Sequence, residues 1–181
     1  MRLNYKTILL LLIAIVIITS LAYFAHGWYA LLLYGVLLLG PAIEDGRSGY
    51  ISDGWSVLLA ASGLMISWQQ GYEIESLGTA GMMLFLYGLM YVWKREAAGM
   101  GDVLLSVAAA LWLTPVFGLL FLWIAAVSSL VFYGLRLLLG RPPAEAGVRF
   151  APFLALGGVM AYGMQEMWGI SLLYTFRFYP G

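Results

Sequence analysis

Residues 116–139 read VFGLLFLWIAAVSSLVFYGLRLLL, 24 residues in which Arg136 is the one charge. A helix rises 1.5 Å per residue, and about 20 apolar residues cross the hydrocarbon core of a bilayer. Backbone polar groups in lipid must be satisfied within the segment, so such a run is expected to be helical. The rest of the 181-residue chain has the same character: 63% of its residues are hydrophobic, 10% are charged, and the mean hydropathy is +0.92. Soluble domains carry roughly 25% charged residues. A water-soluble chain is therefore excluded, and the fold class expected is all-α, a polytopic transmembrane helical bundle.

Working outward from that run, six more candidate spans lie at residues 7–25, 28–43, 55–68, 77–93, 103–113 and 150–165. The bundle is thus expected to have about six to seven spans. Residues 7–25 follow Arg2 and Lys6 and lack a small-residue cleavage site, so they are read as an uncleaved first span. Thr114-Pro115 marks a break, because proline inside a helix removes a hydrogen bond and clashes with the preceding turn. Residues 166–181, aromatic and containing Arg177, read as an interfacial tail. The longest polar loop, residues 140–149, leaves no room for a soluble domain, and residues 1–181 read as a single membrane-embedded unit.

Basic residues are retained on the cytoplasmic side. Alternating the spans from a cytoplasmic N-terminus puts Arg2, Lys6, Arg47, Lys94, Arg95, Arg136, Arg141 and Arg149 inside, and Arg177 alone outside. The expected location is a cell membrane, multi-pass, with the lipid bilayer as a partner. With nine basic and nine acidic residues the net charge is near zero, so no electrostatic footprint for nucleic acid is present. The absence of cysteine excludes thiol catalysis, disulfides, iron–sulfur clusters and Cys-ligated zinc. His26, the one histidine, cannot by itself build a metal site or a Ser-His-Asp triad, and reads as an interfacial turn residue. Chemistry falls to carboxylates and hydroxyls.

The chain has three aspartates, Asp45, Asp53 and Asp102, and this topology puts all three on the cytoplasmic face. Asp53 precedes a helical run and reads as an N-cap, its carboxylate accepting from free backbone N–H groups. Asp102 also precedes a helical run and reads equally as a cap or as a functional group. Asp45 follows a span at its C-terminal end, where the helix dipole disfavours negative charge, and Glu44 beside it adds to the cost. A carboxylate that local helix energetics disfavours, at the edge of a low-dielectric region, is a functional candidate. Two carboxylates brought close share one proton, one acting as base and the other as acid, which suits activation of water against a peptide bond. Gly99 and Gly101 flank Met100 before Asp102; glycines permit unusual backbone conformations and close approach.

Gly99-Met100-Gly101-Asp102 resembles the GxGD motif of membrane-embedded aspartic peptidases. Asp45 followed by Ile51-Ser52-Asp53 resembles the other signature of type IV prepilin and preflagellin peptidases. The stretch from Arg149 and Phe150 through Pro152-Phe153 to Gly157 is similar to the opening of that family's last span. The resemblance covers about residues 29–165, leaving 1–28 as an extra N-terminal span. It implies that Asp45 and Asp102 are the catalytic pair, that Gly99 and Gly101 shape the second aspartate's loop, and that Asp53 is the family's additional aspartate. It further implies hydrolysis of a short basic leader from pilin-like or pseudopilin precursors at the cytoplasmic face, with no metal or organic cofactor. Two features depart from the family pattern. Leu104 stands where many members carry lysine, and no N-terminal domain with paired cysteines is present, so the resemblance implies a peptidase-only form without N-methylation.

Two other readings compete. Presenilin-like and signal-peptide peptidases share GxGD, but their first aspartate lies mid-span after a tyrosine, whereas Asp45 follows Glu44 at a span's end. A small transporter or assembly factor would keep proton-relay carboxylates near the bilayer middle, and none lies there.

Overall fold

The computed structural model describes residues 28–93, 99–140 and 149–168. These hold α1 (Trp28–Ser48), α2 (Asp53–Gln70), α3 (Glu73–Trp93), α4 (Met100–Ala110), α5 (Pro115–Leu138) and α6 (Ala151–Trp168), with no strand among the described residues. The all-helical class is as expected. Two segments, Tyr29–Ser48 and Pro115–Leu138, are long and apolar enough to cross a membrane. The expected span at 7–25, His26 and the tail beyond residue 168 lie outside the described residues.

Several boundaries differ from the sequence reading, each for a local reason. Helix α1 does not stop at Ile43 but carries Glu44 and Asp45 in its last turns. The Ser48 hydroxyl donates to the Glu44 carbonyl (2.8 Å), and Gly49, at φ +69°, ends the helix with its N–H on the Asp45 carbonyl (2.9 Å). That left-handed backbone is one glycine adopts without strain. Helix α3 begins at Glu73, so the connection from α2 is only Gly71 and Tyr72; Glu73 and Glu75 fall in its first turn, where the helix dipole favours acids. Helix α6 continues through Glu166 to Trp168, into what reads by sequence as tail.

Helix α6 packs between α1 and α5, and α4 between α2 and α3, with α4 also touching α6. Close approach is bought with glycine. A Cβ on Gly157 would stand 2.7 Å from the Phe121 carbonyl oxygen and 3.1 Å from the Ala125 nitrogen, so α6 meets the backbone of α5 itself. Backbone cannot swing aside as a side chain can. Gly157→Val is therefore expected to cost about 1–3 kcal/mol or more, seen as a lower thermal midpoint in detergent. A midpoint at the wild-type value would mean that α5 and α6 do not meet there.

Helix α4 has 11 residues, about 16 Å of rise, and ends inside the bundle. The turn that follows, residues 111–114, is buried throughout. Helix ends leave carbonyls without intrahelical partners, and buried ones must find others. Here side chains supply them. Tyr34 of α1 donates to the Ala109 carbonyl (3.1 Å), and Tyr72 and the Gln165 amide both donate to the Trp112 carbonyl (3.0 and 3.1 Å). The Gln165 oxygen accepts from the Thr114 N–H (2.8 Å), and Pro115 opens α5, where a missing N–H costs nothing. The Trp112 indole donates to the Leu59 carbonyl (2.8 Å) and stacks its ring among Tyr34 and Tyr162, with centroids 4.8–5.6 Å apart. This plug fixes the depth of α4, and hence the position of its first turn.

Candidate active site

The first turn of α4 carries Gly99-Met100-Gly101-Asp102. Gly99 is the N-cap, in extended backbone at φ −66°, ψ 144°, and its carbonyl accepts from the N–H groups of Asp102 (3.1 Å) and Val103 (3.2 Å). Asp102 is thus the third helical residue and not the cap. The expectation that these glycines serve unusual backbone angles is corrected, since the Gly99 angles suit any residue. What they supply is space. A Cβ on Gly99 would touch Asp102 Oδ2 at 3.6 Å, and one on Gly101 would press to 3.2 Å from the Ile51 Cβ. The GxGD turn therefore seats against the buried Ile51 of the α1–α2 loop.

That loop is tied down by Glu44, a residue without a role in the sequence reading. One oxygen of its carboxylate accepts from the Ser52 N–H (3.0 Å), and the Ser48 hydroxyl bridges to Tyr50. Ser52 occupies the N-cap of α2 without a side-chain cap bond, and Asp53 is the first helical residue, exposed. The N-cap reading of Asp53 is thereby corrected: the chain turns into the helix one residue earlier, and Asp53 is left as a first-turn acid favoured by the dipole.

Asp45 is buried, 7% exposed, at the inward face of the last turns of α1. Its Oδ2 accepts from the N–H of Ala151, the first residue of α6 (3.3 Å). The cost that its own helix dipole imposes is offset by the positive end of another helix. Arg149, just before α6, donates from its guanidinium to the Gly46 carbonyl and places a positive charge near Asp45. Sequence reasoning missed both partners because they lie about a hundred residues away. The signal was present in the third motif, which turns out to deliver Arg149 and Ala151 to the first.

Among the described residues, the Asp102 carboxyl accepts no such hydrogen bond. Burial, and then the negative charge of Asp45, push its carboxyl up to about 6. Asp102 therefore senses the Asp45 charge, while Asp45 has the Ala151 N–H and the Arg149 charge set against the larger cost of its own burial. Leu104, at the position where lysine resembles the family, is 40% exposed on the same helix. Among the described residues no three His, Cys, Asp or Glu side chains cluster as metal ligands.

The model of the Type IV leader peptidase family matches residues 31–134, which include both aspartates. The chain is also 25% identical over 173 residues to a protein of Escherichia coli O78:H11 (strain H10407 / ETEC) called "Type 4 prepilin-like proteins leader peptide-processing enzyme". That alignment covers 91% of this chain and 62% of the relative, so the chain spans under two thirds of the relative's length. No solved structure matches.

Proposed function

This chain belongs to the type IV leader peptidase family, and from that premise we propose that it is a membrane aspartic endopeptidase that removes the leader from pilin-like or pseudopilin precursors. The observation that carries the aspartic mechanism is the electrostatic contact of two unlike carboxyls, Asp102 at about 6 beside Asp45 with its Ala151 donor. Two neighbouring carboxyls do not both ionise readily, and so divide the work of acid and base.

Asp45 is the base and Asp102 the acid. Asp45 takes a proton from water as the oxygen attacks the scissile carbonyl, and Asp102 gives its proton to the carbonyl oxygen, leaving a neutral gem-diol. In the collapse Asp102 takes back a proton from one hydroxyl while Asp45 protonates the leaving nitrogen, and the C–N bond breaks. Gly99 and Gly101 keep the second aspartate's turn slim enough to seat on the first loop. Asp53, exposed at the start of α2, is a loop organiser beside the substrate's entry.

The whole bundle is a multi-pass membrane unit of six to seven spans. Its outer faces support this: Leu32, Val36, Leu39 and Ile43 on α1, and Leu119, Trp123 and Leu130 on α5, are exposed and apolar. Soluble monomers rarely expose contiguous apolar patches beyond a few hundred Å². The basic residues place the catalytic turns on the cytoplasmic side, so the leader is cut there, just before the precursor's hydrophobic helix.

The test is cleavage in vesicles containing the chain and a pilin-like precursor, followed by mass measurement of the released leader. One cut at the leader junction, unaffected by EDTA or phenanthroline, is the expected result. Loss of cleavage on chelation, restored by added metal, would refute the two-carboxylate mechanism. A precursor intact at the leader junction and cut instead within its hydrophobic helix would point to an intramembrane protease.

A further inference from the structure

Helix α3 buries Ser76, Ala80, Met83 and Tyr87, spaced three and four residues apart, so Tyr87 lies on the inward face of the helix. Tyr87 is 5% exposed, and its hydroxyl has no hydrogen-bond partner among the described residues. Leaving a buried hydroxyl unpaired costs about 1–3 kcal/mol, so phenylalanine would suit a purely structural position better. The groups it faces across the α3–α4 interface are the Ser106 hydroxyl and the Asp102 charge. Ser106 and Asp102 lie one turn apart on the same face of α4, and the Ser106 proton is already committed to the Asp102 carbonyl (2.6 Å). Ser106 can accept from Tyr87 but has no proton to give it. The phenolic proton thus faces two acceptors, Ser106 and Asp102, and is hydrogen-bonded to neither among the described residues.

We propose that Tyr87 is a positioning residue for Asp102: its hydroxyl donates to the Asp102 carboxyl through one water and holds that carboxyl in the rotamer that faces Asp45. The proposal rests on the reading of Asp45 and Asp102 as the working pair. Among the described residues, the charged or titratable groups that act on Asp102 or feel its charge are Asp45 from α1 and Tyr87 from α3, while Arg149 and the Ala151 amide act on Asp45. A donor to the carboxylate favours its ionised form. Removing it moves the Asp102 titration upward.

The experiment uses the full chain in vesicles, with Tyr87→Phe against wild type. Isotope-edited infrared spectroscopy of carboxyl-labelled aspartate follows the titration, and Asp102→Asn identifies the Asp102 band. The same preparations are assayed with a pilin-like precursor. In Tyr87→Phe the Asp102 midpoint is expected to rise by about half to one pH unit. The turnover number should fall about tenfold, with KM within about twofold and a thermal midpoint equal to or above wild type. An unmoved Asp102 midpoint overturns the proposal, as does a moved midpoint with unchanged turnover. If Asp102→Asn itself cleaves at the wild-type rate, the dyad reading has failed. The Tyr87 contact is then judged by the infrared midpoint alone.

Discussion

Asp102→Asn is expected to slow leader cleavage by about 10²–10⁴-fold, the range associated with a positioned general acid, while making the protein more resistant to heat at pH 8. The two effects have one origin. Burial and the Asp45 charge hold the folded-state Asp102 carboxyl at about 6, above its ordinary value. Below the ordinary value both folded and unfolded chains carry the proton, and Asp102 has no cost. As pH rises through about 6 the folded chain must accept a buried charge beside Asp45, and stability is lost. Asparagine removes that charge. Its stabilising effect should therefore be absent at about pH 4 and full at about pH 8, read from thermal midpoints across the range. In the wild type the same proton sets the alkaline limb of kcat/KM, because the acid is consumed as Asp102 ionises. The rate should decline as pH rises through about 6. Asp45→Asn is also expected to abolish cleavage, and it should lower the Asp102 midpoint only part of the way to the ordinary value, since burial is the larger cause. Wild-type cleavage by either variant would remove the dyad from the mechanism.

Gln165→Leu is expected to destabilise the bundle by about 2–4 kcal/mol, as one buried N–H is orphaned and a second hydrogen bond is lost. Gln165 accepts from Thr114 and donates to Trp112, bridging the break between α4 and α5. Leucine leaves the Thr114 N–H without a partner in a turn that water does not reach. The Trp112 carbonyl still keeps Tyr72 as donor. Tyr72→Phe alone is accordingly mild, about 1 kcal/mol. The double variant empties the carbonyl and should cost about 1 kcal/mol more than the two singles together. Unfolding curves in mixed micelles measure all three. Strict additivity would show that the two donors do not back each other up. Because the plug sets the depth of α4, Gln165→Leu should also reduce cleavage even though it lies far from the carboxyls.

Much of the helical pattern was legible because hydrophobic length is a local property. The break at Thr114-Pro115 became a turn with Pro115 at the first position of α5, as the chemistry of proline requires. Boundaries were less legible where polar residues ride on helices. Glu44 and Asp45 read as the end of a span, but α1 needs only backbone bonds and a terminating Gly49 to continue through them. Asp53 read as a cap because Asp is a good one, yet Ser52 took the cap position.

By itself the sequence determined the helical class, the apolar character, and three motifs holding two exceptional aspartates, because all of these depend on residue type and spacing along one chain. Only the tertiary structure decided why Asp45 is tolerable and why the Asp102 carboxyl is pushed up to about 6. The first depends on the amide of Ala151 and the charge of Arg149, brought from the far end of the chain to the foot of α1. The second depends on how deeply α4 is buried and on Asp45 across from it. Electrostatic energies at a site are sums over what is near in space, and nearness in space is set by packing: here by the Ile51 seat at one end of α4 and the Gln165 plug at the other.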